Sequence, residues 1–403
     1  MAGLTDRGRL VLGLAAAVYL VAWGFGSRTL YPVATGLALA AIGGRLWVAL
    51  AWQPVVLRRS LGREWLEGDD VEVGLEALPQ RYPGPHSLEV VERVGRLGER
   101  RVRLTRHRQS LLARYTLPAL RRGRYRIAAA RAIFEDPFGL ALAEAQLGGE
   151  TTLLVYPRLV ELERLFSQAG GAAHAGGRVL LRRTAGFDLH SVREYQQGES
   201  LRKVHWRTTA RRGTLMVKEL EDAPHDEVAV LLDADARAVV GESFDAQVRA
   251  AGSILRAHAL RGRRTVLTIS SSPPESCHVA SFGGDWRVAL ELLAAIEPTG
   301  GDPLDRFLGR DGSPATQAME LVVVTALLTP SLADALLERA FARRPTSLAL
   351  VDAASFGPDE AQPLRDPALL RLQASGVPVA VVRRGDDLAA KLSGLAEALA
   401  AHG

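Results

Sequence analysis

Cysteine is almost absent: Cys277 stands alone among 403 residues. A single thiol excludes an internal disulfide framework and any cysteine-based zinc site, and it leaves the redox compartment open. The chain also lacks the common catalytic motifs. No Gly-rich phosphate loop ends in Lys-Ser or Lys-Thr, and no Gly-x-Gly-x-x-Gly opens a helix. There is no His-Glu-x-x-His run and no Gly-x-Ser-x-Gly elbow. Cys277-His278 is the one thiol–imidazole neighbour pair, and adjacent residues on a strand point to opposite faces, so the imidazole is not placed to activate the thiol. These absences remove the specific grounds for proposing an enzyme without excluding one. With 47% hydrophobic and 24% charged residues, disorder is a poor description of the chain.

Apolar residues concentrate at the start. Leu10 to Phe25 carries no charge, and after the break Gly26-Ser27-Arg28-Thr29 a second run extends from Leu30 to Trp52 with only Arg45 inside it. About 20 residues of helix span a bilayer core; the first run is slightly short of that and the second reaches it. Arg45 lies toward the end of its run, where its stem carries the guanidinium to the interface. Trp23, Tyr31, Trp47 and Trp52 fall near the run ends, as aromatic belts do. A cleaved signal peptide is the alternative, but a second apolar run follows at once and no clear small-x-small site intervenes. A transmembrane hairpin is therefore expected in residues 1–57, with helices at about 10–26 and 30–52. Arg7 and Arg9 precede it and Arg58, Arg59 and Arg63 follow it. This places both flanks and the soluble domains in the cytoplasm, with only the Arg28 turn outside.

From about residue 58 to 160 the period becomes two. Val71, Val73, Leu75 and Ala77 alternate with Glu72, Gly74 and Glu76. Further strand-like runs are Leu88–Val94, Arg101–Thr105, Leu111–Leu117, Arg124–Ile127 and Thr151–Tyr156, with breaks such as Tyr82-Pro83-Gly84-Pro85 between them. Short strands with such punctuation predict a β-rich, sandwich-like domain. Asp136-Pro137-Phe138-Gly139-Leu140 reads as a structural turn at a strand exit. The small, polar stretch Phe166–Gly177 reads as a linker or loop, with His174 exposed and without a partner at metal-site spacing.

Residues 161–226 hold this linker and then a dense polar block. The block includes Arg193, Tyr195, Gly198, Ser200, Arg202, His205, Trp206, Arg207, Arg211 and Lys218. From Arg178 to Asp222 there are ten Lys or Arg against six Asp or Glu, an excess of four where the whole chain has five. Basic charge is localised here. Arg202, His205, Trp206 and Arg207 offer planar donors and an aromatic face suited to capturing carboxylate or phosphate. An internal ion-pair lattice, with Glu194, Glu199, Glu219 and Glu221 satisfying the arginines, is the other reading, and mixed charge points toward it.

After Asp226 strands and helices alternate. Val228–Leu232 is a continuous apolar run suited to a buried parallel strand, and Thr265–Ile269, Leu321–Thr325, Ser347–Val351 and Val377–Val382 supply further strands. Helices are expected with Phe244, Val248, Ala251, Ile254 and Leu255 on one face, and around Trp286–Ile296, Leu332–Phe341 and Leu388–Ala400. Residues 227–403 thus predict a doubly wound α/β domain, whose functional end is the carboxyl end of its strands. Asp233 sits there.

The order Tyr-Gln-x-Gly-Glu-Ser-x-Arg-x-x-His-Trp-Arg-x-Thr-Ala-Arg, followed by Leu-x-Val-Lys-Glu, closely resembles the signature of the domain of unknown function 58 family. Asp136–Leu140 and Val155-Tyr156-Pro157-Arg158 are similar to that family's other landmarks. The resemblance implies an N-terminal membrane hairpin, a β-rich segment, the signature and a von Willebrand factor type A-like domain. It also implies an adaptor or assembly role beside a MoxR-type AAA+ ATPase, with no cofactor and no nucleic acid. A type A metal site needs Asp-x-Ser-x-Ser to supply hard oxygens to a divalent cation. Here the run is Asp233-Ala234-Asp235-Ala236-Arg237, and no Asp follows Thr325. Arg237 repels a cation and is expected to pair with Asp233 or Asp235. The expected function is a membrane-anchored, non-catalytic adaptor with an unknown protein client. One alternative is a module binding a phosphate-bearing ligand or anionic lipid through the basic block. The other is a divalent-metal-dependent domain or enzyme centred on Asp233 and Asp235.

Overall fold

Thr5 starts the first helix by accepting the Gly8 amide on its hydroxyl at 3.0 Å, and the uncharged run behind it continues as α1 (Asp6–Phe25). Gly26 and the turn after it reverse the chain into α2 (Leu30–Ala51). This is a computed structural model. It describes residues 2–52, 54–62, 64–80, 87–167, 189–194, 206–220, 227–280, 282–300, 303–309, 313–358 and 366–394. The two helices match the expected hairpin. Ala15 and Ala22 of one and Ala34 and Ala41 of the other are buried, small side chains that let helices approach closely. The larger ones, Leu10, Trp23, Phe25, Leu39 and Leu50 among them, are exposed. Only 17% and 22% of the two apolar stretches is buried, whereas a soluble protein's core helix is mostly covered.

The hairpin belongs to a compact unit, Met1–Tyr156. Its strands are β1 (Ala2–Leu4), β2 (Val55–Leu61), β3 (Trp65–Leu66), β4 (Val71–Pro79), β5 (Ser87–Arg93) and β6 (Glu99–His107). They continue with β7 (Ser110–Leu117), β8 (Gly123–Ile127), β9 (Ala130–Glu135), β10 (Ala141–Leu147) and β11 (Thr151–Tyr156). Eight of them form an antiparallel sheet in the order β1-β10-β9-β5-β6-β7-β4-β2, and the rest form a sheet β3-β11-β8. The larger sheet curls: the Arg59 guanidinium on its last strand donates to the Gly149 carbonyl just beyond β10, at 2.5 Å. The two sheets share one apolar core, from Val73, Leu75 and Leu104 to Ile127 and Val155. The β-rich domain expected from the period-two pattern therefore takes the form of a curled sheet with a small second sheet.

Registers place several connections at one end of this sheet. Leu4 pairs with Ala141, Val55 with Pro79, Ala77 with Leu111, His107 with Ser110, and Leu142 with Glu135. Both hairpin helices, the β6–β7 turn and the 136–140 turn consequently share that end.

The second unit is Pro157–Gly403. Its first residues are not a free tether: Leu162, Leu165 and Phe166 are buried in its core, and Arg261 donates to the Leu162 and Glu163 carbonyls. Within the signature region β12 (Leu189–Glu194) pairs antiparallel with β13 (Met216–Leu220), and α3 (Trp206–Arg212) lies between them in sequence. The α/β part contains β14 (Val228–Leu232), α4 (Ser243–Leu260), β15 (Thr265–Ile269), β16 (Glu275–Val279) and α5 (Gly284–Ala295). Two short helices, α6 (Leu304–Leu308) and α7 (Pro314–Gln317), precede β17 (Glu320–Thr325) and α8 (Pro330–Phe341). Then come β18 (Thr346–Val351), α9 (Pro367–Ala374), β19 (Val379–Val382) and α10 (Leu388–Ser393). The sheet order is β16-β15-β14-β17-β18-β19, parallel except for the β16 edge. Val228, Val230 and Leu232 face a core with α4 and α5, while Ala229 and Leu231 face one with α8 and α9. Helices cover both faces, as the unbroken apolar strands predict.

Candidate functional site

The chain order reverses direction across the α/β sheet at β14, whose neighbours are β15 and β17. Crevices at such switch points are where these folds bind ligands. Asp233 follows β14 at this point and is 5% exposed. Its Oδ1 accepts the Asp235 amide and the Ser270 hydroxyl, both at 3.1 Å. Its Oδ2 accepts the Thr325 hydroxyl at 2.6 Å. Ser270 in turn accepts the Ala234 amide at 3.0 Å, so the carboxylate ties together the ends of three adjacent strands. Burial raises the Asp233 pKa against the lowering effect of these hydrogen bonds.

Asp235 is engaged differently. Arg237 Nε lies 3.0 Å from both of its carboxylate oxygens, and Nη2 lies 2.5 Å from Oδ2. Asp235 also accepts the Arg237 amide at 2.9 Å. This fork holds the Asp235 pKa below the usual carboxylate range. Of the two pairings open to Arg237, the fold uses Asp235. Two strands away Asp352 is buried, with Arg383 Nε 3.2 Å from its Oδ2.

Asp233, Ser270 and Thr325 are a carboxylate and two hydroxyls, the hard-oxygen chemistry a divalent cation takes. The fit fails on the partners. Both Asp233 oxygens already accept internal donors, and Asp235 is neutralised by a guanidinium. Among the described residues no group of three or more His, Cys, Asp or Glu converges on a metal position. The cluster is a structural knot. Ser270 was not singled out by sequence reasoning, which sought both hydroxyls within five residues of Asp233; its signal was a Ser directly after an apolar strand.

The signature block is described in part. Tyr195, Gly198, Ser200, Arg202 and His205 lie outside the described residues. Arg193 lies on β12 and Lys218 on β13, with Arg193 opposite Val217 and Val192 opposite Lys218. Trp206 and Arg207 open α3 and Arg211 is in its last turn. Met216 is buried, and its amide donates to the Thr209 hydroxyl at 3.0 Å, which fastens the helix to β13. Trp206 is 65% exposed, and Arg211 is exposed on the same short helix.

Cys277 and His278 lie side by side on the edge strand β16 and do not engage each other's side chains. His278 Nδ1 is 3.0 Å from the Glu227 carboxylate, while burial pushes the Cys277 thiol pKa up. A protonated thiol is a poor nucleophile.

Among curated proteins, the uncharacterized protein YeaD of Bacillus subtilis is 24% identical to this chain over 249 residues. The match takes in 62% of this chain and 61% of that protein, so the chain spans about three fifths of its relative's length. Among solved structures, the CARDB domain of a Pyrococcus furiosus protein in complex with di-metal ions is 13% identical, covering 25% of this chain and 87% of that one at a TM-score of 0.18. A β-glucosidase from Listeria innocua in complex with gluconolactone is also 13% identical, covering 24% and 16% at a TM-score of 0.15. Likenesses at these scores carry no argument about this chain. The family model described as "Protein of unknown function DUF58" matches residues 191–354, from β12 past the end of β18. A DUF58 domain is present there.

Proposed function

We propose that this protein is a membrane-anchored, non-catalytic adaptor, held in the bilayer by α1 and α2 and presenting a von Willebrand factor type A-like α/β domain to protein partners in the cytoplasm. The observation that carries this reading is the uncovered apolar surface of the hairpin: two helices of 20 and 22 residues keep their large apolar side chains exposed. In water such a surface is strongly unfavourable, at about 25 cal/mol per Å²; in lipid it costs nothing. Charge bias supports the orientation, with Arg7 and Arg9 before the hairpin and Arg58 after it. Arg59 contributes to that bias in sequence, yet in the fold its side chain is 5% exposed and paired with Glu92.

The partner we assign is a MoxR-type AAA+ ATPase, on the family resemblance together with an exposed aromatic, Trp206, on a basic helix. Exposed Trp and Arg are the residue types that anchor protein interfaces. Arg211 and Arg212 close α3 at its carboxyl end, where cations complement the helix dipole. Purification of the full chain from membranes in several mild detergents tests the assignment. Enrichment of an AAA+ ATPase, reduced by Trp206→Ala, is the expected result. Equal recovery of the ATPase with and without the bait in every detergent would remove this partner.

A further inference from the structure

The 136–140 turn is built into the hairpin. Asp136 is buried, and its carboxylate accepts the Phe138 amide at 3.0 Å and the Ala141 amide at 2.6 Å. The Gly139 amide closes the turn on the Asp136 carbonyl at 3.0 Å, with Gly139 at φ 67. Two glycines receive this turn. A β-carbon on Gly8 of α1 would overlap the Leu140 carbonyl, and one on Gly44 of α2 would lie 3.1 Å from Asp136 Oδ2. Thr5, the cap of α1, donates its hydroxyl to the Gly139 carbonyl at 2.7 Å and its amide to Leu140 at 2.9 Å. Below the turn, Val48 of α2 is buried against Ala141 and Ala143 of β10.

Inside this clamp one side chain points away from the fold. Phe138 is 76% exposed, an unusual position for a phenylalanine on a turn otherwise fixed by five hydrogen bonds. Its depth follows from its neighbours. Gly44 lies six residues before Leu50, the end of the apolar span, which is about 9 Å along a helix axis. The turn therefore sits beside the last turns of the span rather than below them, level with exposed Arg45. The same end of the sheet carries the β6–β7 turn, where His107 and Arg108 are exposed, and the α1 start, where Arg7 and Arg9 are exposed. An apolar tip on an end that also exposes Arg7, Arg45 and Arg108 matches the boundary between acyl chains and anionic headgroups.

We propose that Phe138 is a membrane-interface anchor. The 136–140 turn latches onto Gly8 and Gly44 and holds the phenyl ring in the headgroup–acyl boundary of an anionic leaflet, fixing the β-rich unit against the bilayer surface. This rests on the reading that α1 and α2 span the membrane.

The test uses the full chain carrying Cys277→Ser, reconstituted in vesicles of phosphatidylcholine and phosphatidylglycerol. A nitroxide is attached at Phe138→Cys, at Leu14→Cys in the middle of α1 where the side chain is exposed, and at Glu99→Cys at the opposite end of the curled sheet. Relaxation by dissolved oxygen is compared with relaxation by a water-soluble nickel chelate. The oxygen-to-nickel ratio at 138 is expected several-fold above that at 99 and below that at 14. A ratio at 138 equal to that at 99, with 14 deep in hydrocarbon, overturns the anchor and leaves the spanning hairpin intact. A water-like ratio at 14 overturns both. Adding Asp136→Ala should move the 138 ratio toward the value at 99; an unchanged ratio would overturn the latch.

Discussion

The two units bury charge in opposite places. In the curled sheet of Met1–Tyr156, ions lie in mid-strand: Arg59 Nε meets Glu92 Oε1 at 2.5 Å, and the Tyr115 hydroxyl donates to Glu92 Oε2 at 2.7 Å. Arg59 also donates to the Ala128 carbonyl and the Thr151 hydroxyl, so the guanidinium joins strands from both sheets. Burial, together with the hydrogen bond to Glu92, pushes the Tyr115 pKa well up, which keeps the phenol a donor. In the α/β unit β14 is apolar from end to end, its parallel neighbours carry uncharged hydroxyls rather than ions among their buried residues, and the carboxylates Asp233 and Asp352 stand just past β14 and β18. A curled antiparallel sheet has positions where a long cation crosses from one strand set to another. A parallel sheet covered on both faces has none, and its polar residues collect at the rim. Mid-strand charge joins strands across the two sheets, and the rim carboxylate Asp233 joins the ends of neighbouring strands.

The largest expected effect breaks the first half of this contrast. Glu92→Ala leaves the Arg59 guanidinium buried without its counter-charge, which typically costs about 3–5 kcal/mol. Hydrogen exchange on the full chain in detergent should show lost protection in β2, β5 and β7, with β14 and β17 unchanged.

The next effect concerns the α/β unit alone and depends on pH. His258 is fully buried, and desolvation lowers its pKa from 6.5 to about 4. The Glu320 carboxylate 4.0 Å from Nε2 opposes the shift, and Arg263 and Arg261 reinforce it. A base whose folded pKa is depressed stays neutral while the unfolded chain takes up a proton. Stability is therefore lost as pH falls from about 6.5 toward 4 and levels off below that, by roughly 3 kcal/mol in full. Denaturant titrations across this window should show the slope, and His258→Gln should flatten it.

A smaller effect sharpens the rim side. Thr325→Val removes the donor to Asp233 Oδ2 and should cost about 1–3 kcal/mol, the usual penalty for an orphaned buried acceptor. Thermal unfolding of the α/β unit reads it. The smallest effect on stability is expected at Trp206→Ala, within about 0.5 kcal/mol because the ring is exposed. If that variant unfolds the signature region, the exposed indole belongs to the architecture after all.

Legibility followed pattern strength. The hairpin, the five parallel α/β strands and the alternating β4 were readable because largely apolar or strictly alternating runs fix both element and face. Strand β10 (Ala-Leu-Ala-Glu-Ala-Gln-Leu) was not, since an alanine-rich strand lacks the β-branched and aromatic signal, and in β9 (Ala-Arg-Ala-Ile-Phe-Glu) that signal is confined to the adjacent Ile133 and Phe134. Strand β1 is only three residues long and directly precedes α1, and only its pairing with β10 reveals it. The knot at Asp233 was half legible. The carboxylate and Arg237 were visible locally, but Ser270 arrives from another strand, a contact that spacing along the chain does not encode. The role of the 136–140 turn was hidden for the same reason: a turn motif shows its own shape and not that Gly8, more than 120 residues earlier, makes room for it.

The central claim is that α1 and α2 tether the two units to a membrane. Sedimentation of native membranes after an alkaline carbonate wash tests it most directly. The account predicts that the full chain stays in the pellet and is released only by detergent. Recovery of the full chain as a monodisperse species in the carbonate supernatant would contradict it.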